Sequence, residues 1–177
     1  MPDIETILSR TSEIFESLTR DCKEIPEDIF FTQPQEKWSI AQNIQHLILT
    51  TRTTTFAFKA PRFLLKWLAG KPNRRSRSYD ELVAKYKLKL QQGGKAPRRF
   101  TPQVFEKGSG KESLLKKWKQ ATDSYLSSLK SNWVDKDLDQ YIVKHPLLGR
   151  ITMRELAYFT MYHTIHHQQI IHDRLPH

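Results

Sequence analysis

The amino-acid sequence predicts an all-α protein, a four-helix bundle with a basic insert between its second and third helices. Three observations predict this class. A capping box, which is Ser or Thr followed three residues later by Glu or Gln, stands out at four places. The boxes open segments whose apolar residues recur at the 3.6-residue period of an α-helix. Outside these segments, only residues 141–143 are typical of a short extended stretch.

The caps and the apolar periodicity set the bounds of each element in chain order. Asp3 can cap the first helix, which ends before Pro26. The capping boxes are Ser39–Gln42, Ser78–Glu81, Ser109–Glu112 and Thr152–Glu155. The four bundle helices are therefore predicted at residues 4–22, 39–58, 110–129 and 152–173. The box at Ser78 lies in the insert, residues 59–108, and predicts a helix there that ends near residue 91. We expect residues 1–177 to form a single domain.

Basic residues are concentrated in the insert and just after it. The chain has 29 Lys or Arg and 19 Asp or Glu, and residues 59–119 hold 18 of the basic residues but only four acidic ones. Such a block favours nucleic acid or an anionic membrane surface as a partner, although a solvated surface would look the same. The densest clusters are Arg74-Arg75-Ser76-Arg77 and Pro97-Arg98-Arg99-Phe100. No helix-turn-helix, RNP or zinc-finger pattern accompanies them, so no specific nucleic-acid partner is expected.

The first part of the insert interleaves large apolar residues with basic ones. The apolar residues are Phe56, Phe58, Phe63, Leu64, Leu65, Trp67 and Leu68. A helix lying in a membrane interface shows this pattern. The alternative is an insert that packs these side chains against the bundle, and Pro61 interrupts the pattern.

The sequence limits where the protein can be located and which residues can bind a metal. No apolar run approaches the roughly 18 residues that span a bilayer. The first residues are acidic where a secretory signal would be basic, so we expect a cytoplasmic protein without a transmembrane segment. Cys22 is the single cysteine of the sequence, which excludes an internal disulfide and a thiolate cluster. Any metal ligands must be imidazoles or carboxylates.

Four of the seven histidines lie in the last predicted helix, at positions 163, 166, 167 and 172. At 100° per residue, His163 and His167 are about 40° apart on one face and one turn apart, so both rings can reach a single ion. His166 is only about 60° from His163 and lies on the same stripe. Because buried imidazoles without partners are costly, these rings are either hydrogen-bonded structural histidines or metal ligands.

A third imidazole could come from His46 in the second helix. Its face of that helix is polar, with Gln42, Asn43, Thr50 and Thr53 around it, and the apolar residues gather on the other side. His46 is therefore either a surface residue or part of a polar cavity within the bundle.

Three motifs together resemble the DinB-like (DinB/YfiT) superfamily of metalloenzymes. They are WSIAQNIQHL at residues 38–47, HPLLGRIT at residues 145–152, and the pair His163-x-x-x-His167. The resemblance implies an up-down-down-up four-helix bundle. It also implies a divalent metal, often Zn or Ni, on one histidine of the second helix and two of the fourth. Carried over by position, the ligands would be His46, His163 and His167, with His166 as a neighbour.

The resemblance further implies a metal-dependent enzyme acting on a small molecule. Relatives include thiol-dependent S-transferases that use low-molecular-weight thiols, and others resemble hydrolases. His166 is a candidate proton shuttle because imidazole titrates near neutrality. Basic residues of the insert could hold an anionic thiol or substrate near the metal. The alternative is a non-catalytic protein that binds nucleic acid or anionic partners through the basic insert.

The fourth helix is also apolar on the side opposite His163, where Tyr158, Met161 and Ile165 lie. A solvent-facing side would be polar, so either a second subunit or the insert must cover these residues. We expect a homodimer.

Overall fold

A computed structural model describes residues 1–35, 37–105 and 110–175 of the chain. These residues are mostly helical, which confirms the all-α prediction at the level of fold class. The elements are α1 (Ile4–Glu24), α2 (Glu27–Phe31), α3 (Ile40–Lys59), α4 (Arg62–Ala69), α5 (Tyr79–Gln91), α6 (Lys111–Asn132), β1 (Ile142–His145), β2 (Gly149–Thr152) and α7 (Met153–His172), with 3₁₀ turns at Arg98–Phe100 and Asp135–Asp139. None of the helices in these ranges combines the length and apolar character that crossing a membrane requires.

The long helices α1, α3, α6 and α7 correspond to the four predicted ones, and their ends differ from the predicted ends by at most three residues. The agreement arises because side-chain caps fix the helix starts. Asp3 caps α1, and the boxes at Ser39, Ser78 and Thr152 are all formed, with the bond returned by the Gln or Glu three residues later. Each such cap contributes about 1 kcal/mol. The predicted box at Ser109 lies outside the described residues.

Contacts among the four long helices form the core. α3 packs along α6 and α1 along α7, while α1 also contacts α6 and α3 contacts α7. Between them, the ring of Phe15 meets Trp118 and Tyr125 edge-on, with centroids 5.2 and 5.8 Å apart. Such pairs add about 0.5–1.5 kcal/mol each to the area they bury. Trp118 and Tyr125 are fully buried, so α1 and α6 meet around them.

A two-stranded hairpin precedes α7. β1 and β2 pair antiparallel with His145 opposite Gly149, whose φ of 74° is a turn conformation that favours glycine. The extended stretch predicted at residues 141–143 overlaps the start of β1, and the second strand is an addition that the sequence pattern did not indicate. The hairpin delivers the chain directly to Thr152, the cap of α7.

The insert divides into two parts with different surroundings. α5 packs against α7, whereas α4 packs against β1. Of the apolar residues that alternate with basic ones between positions 56 and 68, Phe58 and Leu65 are buried, as the packing alternative predicts. Four others are exposed: Phe56, Phe63, Trp67 and Leu68.

The first turn of α7 is held to the insert through a buried carboxylate. Glu155 is fully buried and accepts two hydrogen bonds from the Arg74 guanidinium, at 2.8 and 2.9 Å. It also accepts bonds from the backbone and side chain of Arg77, and from the backbone N–H of Thr152. Two arginines of the densest basic cluster therefore face a carboxylate of their own chain.

Its neighbour Arg154 ties the same turn to the other side of the molecule. The guanidinium is 2% exposed and bonds to both carboxylate oxygens of Asp139, to Asp135 and to the carbonyl of Pro2. The start of α7 is thus anchored from two directions.

Most of the side of α7 opposite His163 is covered within the chain, although Ile165 is 38% exposed. Tyr158 and Met161 are buried, and they share a cleft with Ile7 and Ile14 of α1 and with Tyr79 of α5. α1 and the insert therefore cover these residues, as a second subunit would have done. The homodimer stays a prediction that no contact described here requires.

Replacing Glu155 by Gln is expected to destabilise the fold more at neutral pH than in acid. Burial alone would raise the pKa of Glu155, but the bonds from Arg74, Arg77 and Thr152 outweigh burial and leave the pKa below its ordinary value. Such a carboxylate stabilises fully above its unfolded pKa of about 4.3, and this is lost as pH falls through the lowered folded value. Because both arginines are partly solvated, we expect a loss of about 1–3 kcal/mol at pH 7.

Denaturant unfolding at pH 7 and at pH 3 measures this difference. The matched control is Glu81→Gln, which changes the capping-box glutamate of α5, an exposed residue. The expectation would be contradicted if Glu155→Gln lowered the free energy of unfolding equally at both pH values, or by no more than the control does.

Candidate metal centre

Three histidine rings from two helices meet in the interior. His46 comes from α3, and His163 and His167 come from successive turns of α7. All three are buried, and one ring nitrogen from each lies within 4.8 Å of the others. The closest approach joins Nε2 of His46 to Nε2 of His163, at 3.2 Å. The four-residue spacing places His163 and His167 on one face of α7, and this face of α7 lies against His46 on α3.

The ring of His46 is oriented by the insert. Its Nδ1 lies 2.7 Å from the backbone carbonyl oxygen of Phe100, which belongs to the 3₁₀ turn at Arg98–Phe100. A carbonyl oxygen only accepts, so Nδ1 carries the proton and donates it. The lone pair of the neutral ring is then on Nε2, which faces His163.

The ring of His167 is oriented by Asn43 on α3. The amide nitrogen of Asn43 donates to the carbonyl of Ser39 at 2.8 Å, which leaves its oxygen directed at His167 Nδ1, 2.7 Å away. Nδ1 must therefore donate, and the lone pair is again on Nε2. A hydrogen bond from the second ring nitrogen to an oxygen is the usual support of a metal-binding histidine.

Electrostatics keep the rings neutral. Burial lowers the pKa of His46, and burial together with repulsion from neighbouring histidines holds the pKa of His163 and His167 well below the ordinary value. Neutral imidazoles offer lone pairs at pH 7, as metal ligation requires. Two Nε2 atoms 3.2 Å apart need either a shared proton or a cation to hold them. The residues present therefore fit a metal ion, and an all-imidazole donor set suits Zn and Ni among others.

The three rings line a cavity of about 420 Å³. This volume is in the range of about 300–1,000 Å³ typical of small-molecule sites. Much of the remaining wall is apolar, from residues of α3, α5, the hairpin and α7: Ala57, Leu90, Leu147, Leu156, Phe159 and Ile170. A metal on three imidazoles beside an accessible cavity would have room for a further ligand, as in catalytic rather than structural sites.

The charged groups of the cavity wall are all basic. They are Lys37, Arg99, Lys144 and Arg174. No Asp or Glu is found among the cavity-lining residues in the described ranges. The cavity is therefore a cationic environment even with neutral histidines.

Comparison with known protein families identifies the family of this chain. The family model of the DinB superfamily matches residues 4–171, which is nearly the whole sequence. The chain belongs to the DinB superfamily. The match includes the insert and both histidine-bearing helices, and it confirms the resemblance drawn from the three motifs. No curated protein matches the chain.

In this DinB superfamily member, the other histidines of α7 lie outside the cluster. His166 is half-buried and lines the cavity, with its ring centroid 5.2 Å from that of His167. Burial and the charge of Lys87 lower the pKa of His166. His172 instead faces α1, where its Nε2 lies 2.8 Å from Asp21.

Two supporting groups could not be named as such from the sequence. Asn43 was visible only as a polar neighbour of His46, while its contact is with a ring 124 residues away. The carbonyl of Phe100 carries no side-chain signal at all. His145, part of the second motif, accepts from the backbone N–H groups of Leu147 and Leu148 and so shapes the hairpin turn.

Replacing Asn43 by Ala is expected to weaken Zn binding by about 10- to 100-fold, because His167 loses the acceptor that fixes its tautomer. Competition with a chromophoric chelator measures the affinity. Asn43→Asp keeps an acceptor oxygen and should keep the affinity. The matched control is Thr53→Ala, a cavity residue whose hydroxyl bonds to its own helix. Unchanged Zn affinity in Asn43→Ala would show that the ring needs no such support.

Proposed function

We propose that this protein is a metal-dependent enzyme acting on a small molecule, with a divalent ion, Zn or Ni, held by His46, His163 and His167. One observation carries the proposal: three buried imidazoles, with one ring nitrogen from each within 4.8 Å of the others, line a cavity of about 420 Å³. A core selected for packing alone would place Leu or Ile at such positions. Membership of the DinB superfamily supports the same assignment.

A metal bound there would supply a Lewis acid that activates water or stabilises a thiolate. The chain's own residues do the rest. Phe100 and Asn43 hold two of the proposed ligand rings in the required tautomer, and much of the cavity wall is apolar. His166, at the cavity wall beside His167, is placed to move a proton as the proposed shuttle.

The charge of the cavity wall favours an anionic substrate. Its four basic side chains have no acidic counterpart among the described residues of the wall, and Nη1 of Arg174 is buried without a hydrogen-bond partner in those ranges. Of the insert's arginines, Arg99 reaches this wall, while Arg74 and Arg77 bond to Glu155. A low-molecular-weight thiol that carries a carboxylate fits both the charge and a thiophilic metal. We accordingly place thiol-dependent S-transfer before hydrolysis.

The proposal includes the architecture implied by the family. We propose an up-down-down-up bundle in a single domain, with residues 59–108 as an insert, acting as a cytoplasmic homodimer. The pairwise contacts of the four long helices support the bundle. The contacts of α5 with α7, and of Phe100 with His46, support an insert that belongs to the same domain.

The alternative function, binding of nucleic acid through the insert, receives less support. It depends on free basic groups, and the guanidinium groups of Arg74 and Arg77 are engaged by Glu155. A polyanion would have to displace a fully buried carboxylate to use them. Binding to DNA that falls steeply with salt is the observation that would restore this alternative.

Replacing His46, His163 or His167 by Ala should each abolish stoichiometric Zn or Ni retention, because two imidazoles hold a divalent ion far less tightly than three. Metal analysis of reconstituted, chelator-washed protein is the measurement. His172→Ala is the matched control, since this ring faces Asp21 at the surface. His166→Ala should retain the metal but lose turnover.

Two results would contradict the proposed metal centre or its ligands. If His166→Ala loses the metal and His167→Ala keeps it, the ligand set is wrong. If the wild-type protein retains well under about one equivalent after reconstitution, the metal centre itself is wrong.

Replacing Arg174 by Ala should weaken binding of an anionic thiol selectively. With metal-loaded protein, we expect the affinity for mercaptosuccinate to fall about tenfold, the size of one charge-assisted contact, and that for neutral 2-mercaptoethanol to stay unchanged. Calorimetry measures both. Arg174→Lys should restore part of the affinity, and Arg75→Ala, an exposed insert residue outside the cavity, serves as the control. Equal losses for both thiols would remove Arg174 from substrate recognition.

A further inference from the structure

The short helix α4 presents an apolar face to solvent. Phe63 is 73% exposed, Trp67 80% and Leu68 55%, and Leu64 beside them is half-buried. At 100° per residue these four positions cover an arc of about 140°. The opposite side carries Leu65 and Ala69, which are buried. α4 is therefore apolar on two sides, and only one of them is used inside the chain.

α4 is nevertheless firmly attached to the rest of the protein. The guanidinium of Arg62 lies over the ring of Trp133, 3.4 Å from its centroid, and also donates a hydrogen bond to the backbone carbonyl of Asn132. A contiguous exposed patch of large apolar residues on a fixed element is typical of an interaction site.

The segment of the chain that contains this patch is basic. Residues 37–79 contain nine Lys or Arg and no Asp or Glu. Lys66 lies on α4 itself, and Lys71 follows it; both are exposed. Arg74 and Arg77 of this stretch pair with Glu155, but Lys66 and Lys71 have no ion-pair partner among the described residues. The stretch thus combines large apolar side chains with exposed positive charge.

We propose that α4 docks this protein on an anionic lipid surface, lying flat with Phe63, Trp67 and Leu68 at the boundary between headgroups and acyl chains. Lys66 and Lys71 face the lipid phosphates. Basic helices with exposed Trp, Phe and Leu bind membrane interfaces in this way, combining apolar burial with attraction to anionic lipid. An eight-residue helix is about 12 Å long, which suits a shallow contact at the surface.

Charge favours lipid over the other occupants of such a face. In a two-fold dimer through α4 the same basic residues of both copies would face each other, which is unfavourable. Nucleic acid would use the charges but would leave the exposed apolar stripe of α4 without a partner. An anionic lipid surface satisfies both.

The docking face is separate from the metal centre. None of the residues of α4 is among those that line the cavity. Docking through α4 is therefore independent of the proposed enzyme activity and can be tested without a substrate.

Flotation of the full-length protein with phosphatidylcholine vesicles, with and without phosphatidylserine, tests the proposal. We expect retention on the phosphatidylserine vesicles that falls with added salt. The double variant Phe63→Ser/Trp67→Ser should bind them about tenfold more weakly. Leu88→Ser/Val104→Ser is the matched control, because it also removes two exposed apolar side chains, 51% and 77% exposed, from elsewhere on the surface.

A second pair of variants separates the charge from the apolar contact. Lys66→Gln/Lys71→Gln should weaken retention and reduce its salt dependence. Wild-type protein that stays off the phosphatidylserine vesicles, or a Phe63/Trp67 variant that binds like its control, would overturn the proposal. So would a sedimentation result in which those two substitutions dissociate a dimer, or retention on DNA that requires the same two residues.

Discussion

Three imidazole rings are buried between α3 and α7, and none of the described residues that line their cavity is an Asp or Glu. The surrounding structure depends on this constraint. Each neutral ring must lose one hydrogen bond to water for every nitrogen that finds no partner, at a cost of about 1–3 kcal/mol. The chain offsets this at Nδ1 of His46 and His167, with bonds of 2.7 Å to a carbonyl and to an amide oxygen. The Nε2 atoms are left without such a partner, so the proposed metal would recover free energy that the fold itself does not.

The insert is part of the site rather than an attachment to it. Its 3₁₀ turn supplies the carbonyl that orients His46, its Arg99 lies on the cavity wall, and its Arg74 bonds to Glu155 at the start of the histidine-bearing helix. Glu155 is at once the capping-box partner of Thr152 and the acceptor for the insert. The residue that completes the cap of α7 therefore also makes the contact that attaches α7 to the insert. This contact helps to fix the position of α7 along its axis, and with it the position of His163 relative to His46.

The sequence predicted what local physics determines and missed what only the fold brings together. Helix starts were predictable because Ser39, Ser78 and Thr152 act on residues three positions away. The apolar back of α7 was correctly seen as needing cover, but the pattern could not say that α1 supplies it. The hydrogen-bond partners of His46 and His167 could not be predicted for the same reason, since a backbone carbonyl 54 residues away has no side-chain signature. His46 was ambiguous on α3 alone, because a polar stripe facing water and one facing a cavity have the same composition.

The fixed tautomers also determine where these rings can gain a proton. A carbonyl oxygen and an amide oxygen accept the Nδ1–H bonds of His46 and His167, so the Nδ1 atoms are occupied in every protonation state. Acid can then protonate only Nε2, the atom that also faces the neighbouring rings. Protons would therefore compete with the proposed metal ion for the same atoms. Because burial already lowers the pKa of His46 and His167, this competition would favour the metal at neutral pH.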